Sequence, residues 1–133
     1  MRPHLALRFI TLAATACGAP LPVAELRSAV VEDLPSALAE IATPPPNGAW
    51  HCVPNASRYR CGGGPRDSLT VQIDSIIANR RAAEAQVQLE ASGRLESHFG
   101  PGAVEGFWVR WVDTYHWSGT KWERSGRRID LIT

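Results

Sequence analysis

The chain lacks most of the features that commit a protein to a chemistry. It has one lysine, one methionine and three cysteines in 133 residues, and its formal net charge is only +1. A balance this close to neutral gives no electrostatic reason to bind nucleic acid, whose affinity rests on neutralising phosphates. No apolar run approaches the ~20 residues that a bilayer-spanning helix needs. A Gly-x-Ser-x-Gly elbow is missing. Gly62-Gly63-Gly64-Pro65 is not followed by the Gly-Lys-Ser/Thr of a phosphate loop, so it reads as a flexible turn entering a strand. His51, His98 and His116 lack the spacing of metal ligands, so neither a metal nor a cofactor is expected. There is no internal repeat.

Acidic residues are also missing from the first 24 positions, and what stands there instead is informative. Arg2, His4 and Arg8 form a basic start, and Phe9 to Ala16 is an apolar run of signal-peptide length. Gly18, Pro20 and Pro22 then oppose a continuing helix. The expectation is a signal peptide over 1–16, a short tether over 17–22 and one exported domain over 17–133. Ala14-Thr15-Ala16-Cys17-Gly18 resembles a bacterial lipobox, with Ala14 where leucine is usual. The resemblance implies lipidation of Cys17 and a lipid-anchored product. The alternative is a soluble periplasmic or secreted product, cut after Ala16 or after Gly18. Losing residues 1–16 leaves 117 residues, a normal domain size. Arginine makes up thirteen of the fourteen basic residues, which fits a GC-rich bacterial coding bias.

An oxidising compartment decides how Cys52 and Cys61 read. Paired cysteines bridge there, and a loop of this size contributes about 2–3 kcal/mol by constraining the unfolded chain. A bridged Cys52 is no nucleophile, which argues against a His51-Cys52 catalytic pair. The gap between the cysteines also does not match structural zinc. Asn55-Ala56-Ser57 is formally a glycosylation sequon, relevant only in a eukaryotic secretory pathway.

Hydrophobic period separates the chain into helix and sheet. Val23 to Ala42 has a helical stripe of Val23, Leu26, Val30, Leu34, Leu38 and Ile41. Pro35 predicts a kink or two short helices, with Asp33 capping the second. The stretch around the cysteines reads as loop. From Ser68 the period becomes two: Leu69, Val71 and Ile73, then Ala83, Ala85, Val87, Leu89 and Ala91. Apolar positions must share a face, so a three-residue loop, or an equivalent bulge at Ser75 to Ile77, is expected to pair Ile73 with Val87. One helical turn is expected around Arg94 to His98. Phe107 to Trp117 and Lys121 to Ile132 form a final hairpin, with Trp117 opposite Trp122, Tyr115 opposite Arg124 and a bulge near Gly126. The class is α+β, a helix on a roughly four-stranded antiparallel sheet. Cystatin-like and NTF2-like folds share this element order, by analogy only.

Functional side chains concentrate in that hairpin. Period two puts Trp111, Asp113, Tyr115 and Trp117 on one face and Trp108, Arg110, Thr114 and His116 on the other. Asp113 and His116 therefore point apart and form no catalytic pair. The leading expectation is a non-enzymatic envelope domain that binds a glycan or protein through Trp108, Trp111, Tyr115, Trp117 and Trp122, since exposed indoles stack on sugars and anchor interfaces. The alternative is a small pocket enzyme or ligand carrier, with Asp113 as general base and Tyr115 as hydrogen-bond donor between tryptophan walls. The bland reading of Asp113 is a salt bridge to Arg128 or Arg110. Arg124, Arg127 and Arg128 read as a solvated basic face, and the amides of Gly62 to Arg66 as a weak anion site.

Overall fold

The computed structural model describes residues 20–42, 49–64, 67–95 and 105–133. The expected signal peptide and Cys17 lie outside these residues, as do Pro44 to Gly48 and His98. One helix, α1 (Val23–Ile41), precedes six strands: β1 (His51–Asn55), β2 (Arg58–Gly64), β3 (Asp67–Asn79), β4 (Glu84–Leu95), β5 (Glu105–Trp117) and β6 (Trp122–Ile132). The strands form one antiparallel meander in chain order. Among the described residues the fold is α+β, one helix against the sheet.

Helix α1 buries Leu26, Val30, Leu34, Ala37, Leu38 and Ile41 along one stripe. It runs unbroken through Pro35, where a kink or two short helices were expected. A mid-helix proline costs about 3 kcal/mol. Burial of four aliphatic side chains at successive i, i+4 positions outweighs that, at about 1.5–3 kcal/mol for each one fully buried. Asp33 is consequently mid-helix and caps nothing. Both edge strands, β1 and β6, approach α1, so the sheet curls around the helix. The concave face supplies Leu69, Val71, Val87, Leu89, Val109 and Trp111 to the core, together with Trp50 ahead of β1. Leu21, in the stretch expected to be a tether, already packs against this cluster.

The sheet has six strands where about four were expected, because the cysteine region is a hairpin rather than a loop. Cys52 faces Cys61 directly across β1 and β2, and the two are bonded. Pro54 and the triple glycine hide these strands from a propensity reading. Pro54 is tolerated because β1 is an edge strand with one unpaired side. Gly62 to Gly64 belong to β2, with a register shift between Gly62 and Gly64. Arg94 and Leu95 are likewise strand, not the expected helical turn.

Register follows the demand that apolar sets share a face, though by different pairs than expected. Ile73 pairs with Leu89 and Val71 with Ala91. A bulge at Asp74 then shifts the phase so that Ile76 faces the core opposite Val87. Ile77 is left outside, 67% exposed. The connecting turn is four residues, 80–83. Gly93 permits this close pairing. Its φ is +152°, and a Cβ there would lie 2.1 Å from the Ser68 carbonyl oxygen, so no side chain fits.

Candidate functional site

The final hairpin has the expected tip. Trp117 pairs with Trp122, His116 with Glu123 and Tyr115 with Arg124. Beyond it, two bulges decide which β6 side chains look inward. Ser125 is the extra residue between Arg124 and Gly126, and Asp130 the extra one between Ile129 and Leu131. Without the first bulge Gly126 would face Asp113. With it, Arg127 does. The partner of Asp113 is therefore Arg127, not Arg128 or Arg110. Arg128 instead binds Asp130, and Arg110 lies over the Trp108 ring on the convex face.

Arg127 is the centre of a partly buried ion network. Its side chain is 5% exposed and that of Asp113 3%. Arg127 Nε donates to Asp113 Oδ1 at 2.7 Å, and Nη2 donates to Oδ2 at 3.0 Å. The Trp111 indole N–H also donates to Asp113 Oδ2, at 3.3 Å. From the helix, Glu40 accepts from Arg127 Nη1 at 2.7 Å and Asp33 from Nη2 at 3.4 Å. Arg124 Nε adds a 3.0 Å bond to Asp33, and the Tyr115 hydroxyl a 3.4 Å bond. Burial and the carboxylates compete for the charge on Arg127. Burial lowers its pKa, the bond and charge of Asp113 with Glu40 and Asp33 raise it, and the carboxylates prevail.

Tyr115 stays protonated well beyond the ordinary phenol range. Burial is the main cause, followed by the negative charges of Asp33 and Asp113, then an opposing pull from Arg124, with the bond to Asp33 the smallest contribution. Its hydroxyl is thus a fixed hydrogen-bond donor, and its acceptor is Asp33. The network was not legible from the chain. Asp33 and Glu40 are seven residues apart and so share a helix edge, but nothing local says that Arg127 points at them.

The other expected site residues divide by burial. Trp111 is fully buried, and Tyr115 and Trp122 nearly so. Trp122 also donates its indole N–H to the Pro22 carbonyl at 3.0 Å, pinning the start of α1. Trp117 stays half-buried, its ring 5.4 Å from that of Trp122. Trp108 is half-buried on the opposite face, bonded to Glu90. Asp113 and His116 do lie on opposite faces, one buried and one exposed. His51 is exposed, and Cys52 beside it is bridged. Among the described residues no three His, Cys, Asp or Glu side chains gather as metal ligands. Between α1 and the hairpin lies a recess of about 230 Å³, lined by Ala29, Glu32, Asp33, Tyr115, Trp122 and Arg124.

Removing Arg127 leaves Asp113 buried without its cation, so Arg127→Ala should lose about 3–5 kcal/mol in urea unfolding. An apolar replacement of the pair, Asp113→Leu with Arg127→Met, should recover most of that loss. Tyr115 predicts an alkaline effect. Its folded pKa is raised above the unfolded value of 10.0, so its contribution is complete below pH 10 and is lost as pH rises above it. Tyr115→Phe should remove one proton's worth of that alkaline slope in melting curves.

The chain matches no protein-family model, no curated protein and no solved structure.

Proposed function

We propose that this chain is an exported bacterial envelope protein whose single domain binds a glycan or protein partner through the β5–β6 hairpin and the adjoining flank of α1, without catalysing a reaction. One observation carries the non-catalytic part. Asp113, the carboxylate expected to act as a base, has both oxygens engaged by Arg127, and Oδ2 also takes the Trp111 N–H. A base needs a free lone pair aimed at substrate, and this one is spent holding the fold. The contact surface is narrower than the five aromatics suggest. Trp111, Tyr115 and Trp122 pack the core and brace the hairpin, while Trp117 offers an accessible ring at its end.

Export rests on the basic start, the apolar run and the Ala14 to Gly18 pattern. The Cys52–Cys61 bridge is in keeping with an oxidising compartment. No helix among the described residues is long and apolar enough to cross a membrane. The anchor in this reading is a lipid on Cys17, on the pattern Ala14 to Gly18. The second reading is a ligand carrier of cystatin-like or NTF2-like layout, which the recess reaching Tyr115 favours. The likeness to those layouts is one of element order: a helix, then an antiparallel meander.

Binding should show as retention on purified cell-wall glycan or on a defined envelope protein, with a shift in tryptophan emission. Trp117→Ala should weaken it about five- to thirtyfold, the loss for a 1–2 kcal/mol contact residue. Retention equal to wild type would remove the hairpin from the surface. In a bacterial host, labelled palmitate should enter the wild-type chain and not Cys17→Ser. A wild-type chain without label, found soluble outside the cytoplasm, would replace the anchored form by the secreted one.

A further inference from the structure

The convex face of the sheet sorts its charges along the strands. Paired residues on neighbouring strands share a face, as do residues two apart on one strand. Arg60, Thr70, Ser92 and Trp108 therefore form one row across β2 to β5. Arg58 stands two residues along from Arg60, Arg94 two from Ser92, and Arg110 two from Trp108. With strands about 4.8 Å apart and a rise of about 3.4 Å per residue, the four arginines occupy a patch about 15 Å on a side. Among the described residues the acid in this patch is Glu90, which accepts the Trp108 indole N–H. Asp74, past its edge, is taken by Gln72. Glu84 and Glu123 sit with His116 at the opposite end of the strands.

Arg58, Arg60 and Arg94 are exposed and bond to no described residue. Arg110 adds an independent sign of a missing anion. Its guanidinium carbon lies 5.2 Å from the centre of the Trp108 ring. Its Nε is buried and has no hydrogen-bond partner among the described residues. Glu90 stands directly across the strand pair but bonds Trp108 instead. A buried donor on a cation is rarely left without an acceptor, and a guanidinium held by a ring alone can turn its planar fork to a carboxylate or phosphate. The groups between the arginines narrow the partner. Ser68, Thr70, Gln72 and Ser92 offer hydroxyls and an amide, which match sugar hydroxyls. A lipid surface calls for apolar side chains to insert, and on this patch Val53 alone, opposite Arg60, is an exposed large aliphatic. Single-stranded nucleic acid calls for an open aromatic face, and Arg110 covers Trp108.

We infer that this convex patch, a face the proposed function does not use, binds an anionic glycan, its acidic groups on Arg58, Arg60, Arg94 and Arg110 and its hydroxyls on the polar side chains between them. The test titrates the purified chain by calorimetry with polygalacturonate, neutral dextran, poly-L-glutamate, duplex DNA and phosphatidylglycerol vesicles. Polygalacturonate should saturate, and added salt should weaken it. Dextran should not bind, and the three other polyanions should bind at least about tenfold more weakly. Arg60→Gln and Arg94→Gln should each weaken polygalacturonate about five- to tenfold with the melting temperature unchanged, since neither side chain bonds to a described residue. Arg110→Lys keeps the charge and loses the planar fork, and should weaken it about tenfold. Arg81→Gln, on the exposed β3–β4 turn at the other end of the strands, removes the same charge and should change nothing. No saturation by polygalacturonate would overturn the inference. So would equal affinity for poly-L-glutamate, DNA or vesicles, or wild-type affinity in Arg94→Gln or Arg110→Lys. If Trp117-dependent retention on glycan or envelope protein persists in that case, the proposed function stands without it.

Discussion

The domain depends on one guanidinium. Arg127 joins Asp113 of β5 to Asp33 and Glu40 of α1, so a single side chain on the last strand ties the helix to the sheet. Ion pairs on open surfaces contribute little, usually below about 1 kcal/mol. This one differs because Arg127 and Asp113 are both almost fully buried. Such a pair need not be worth more than an apolar one in the same place, but neither half can be lost alone. It joins the last strand to two positions of α1, Asp33 and Glu40.

Everything around the network serves the same closure. The sheet curls so that its two edges reach one helix. Trp122 fastens the start of that helix through Pro22, and the Arg127 network fastens its second half. On the far edge the Cys52–Cys61 bridge holds β1 to β2 across opposing positions. The aromatics of the hairpin are therefore structural before they are functional. What remains accessible lies at the margins, in the outer part of Trp117 and in the recess lined by Glu32, Asp33 and Arg124 beside α1.

Strands with clean alternation were readable, because burial of one face imposes a period of two on the residues themselves. Leu69 and Val71, Val87 and Leu89, and Trp111 to Trp117 all lie on the faces that alternation assigns. The hairpin tip was readable because loop length sets register, which put Trp117 opposite Trp122. Strands β1 and β2 were not, since Pro54 and Gly62 to Gly64 oppose strand locally. An edge position, a cross-strand disulfide and a neighbouring strand override that preference. The candidate site was half readable. Asp113 and Tyr115 share a face as their spacing requires. Their partners are Asp33, 82 residues from Tyr115, and Arg127, 14 residues from Asp113 but beyond a bulge, and Glu40 joins only through the arginines.

By itself the sequence determined the α+β class, the helical stripe, the faces of three strands, the bridging of Cys52 and Cys61, and the segments that argue for export. These are local or compositional properties, carried by period, spacing and charge over a few residues. Only the tertiary structure decided that Asp113 is held rather than free, that three of the five hairpin-cluster aromatics are buried, and that Arg127 rather than Gly126 faces inward. The reason is one extra residue. A bulge at Ser125 changes which side of the sheet every later β6 residue occupies, and whether a strand bulges is settled by what its neighbours need to bury.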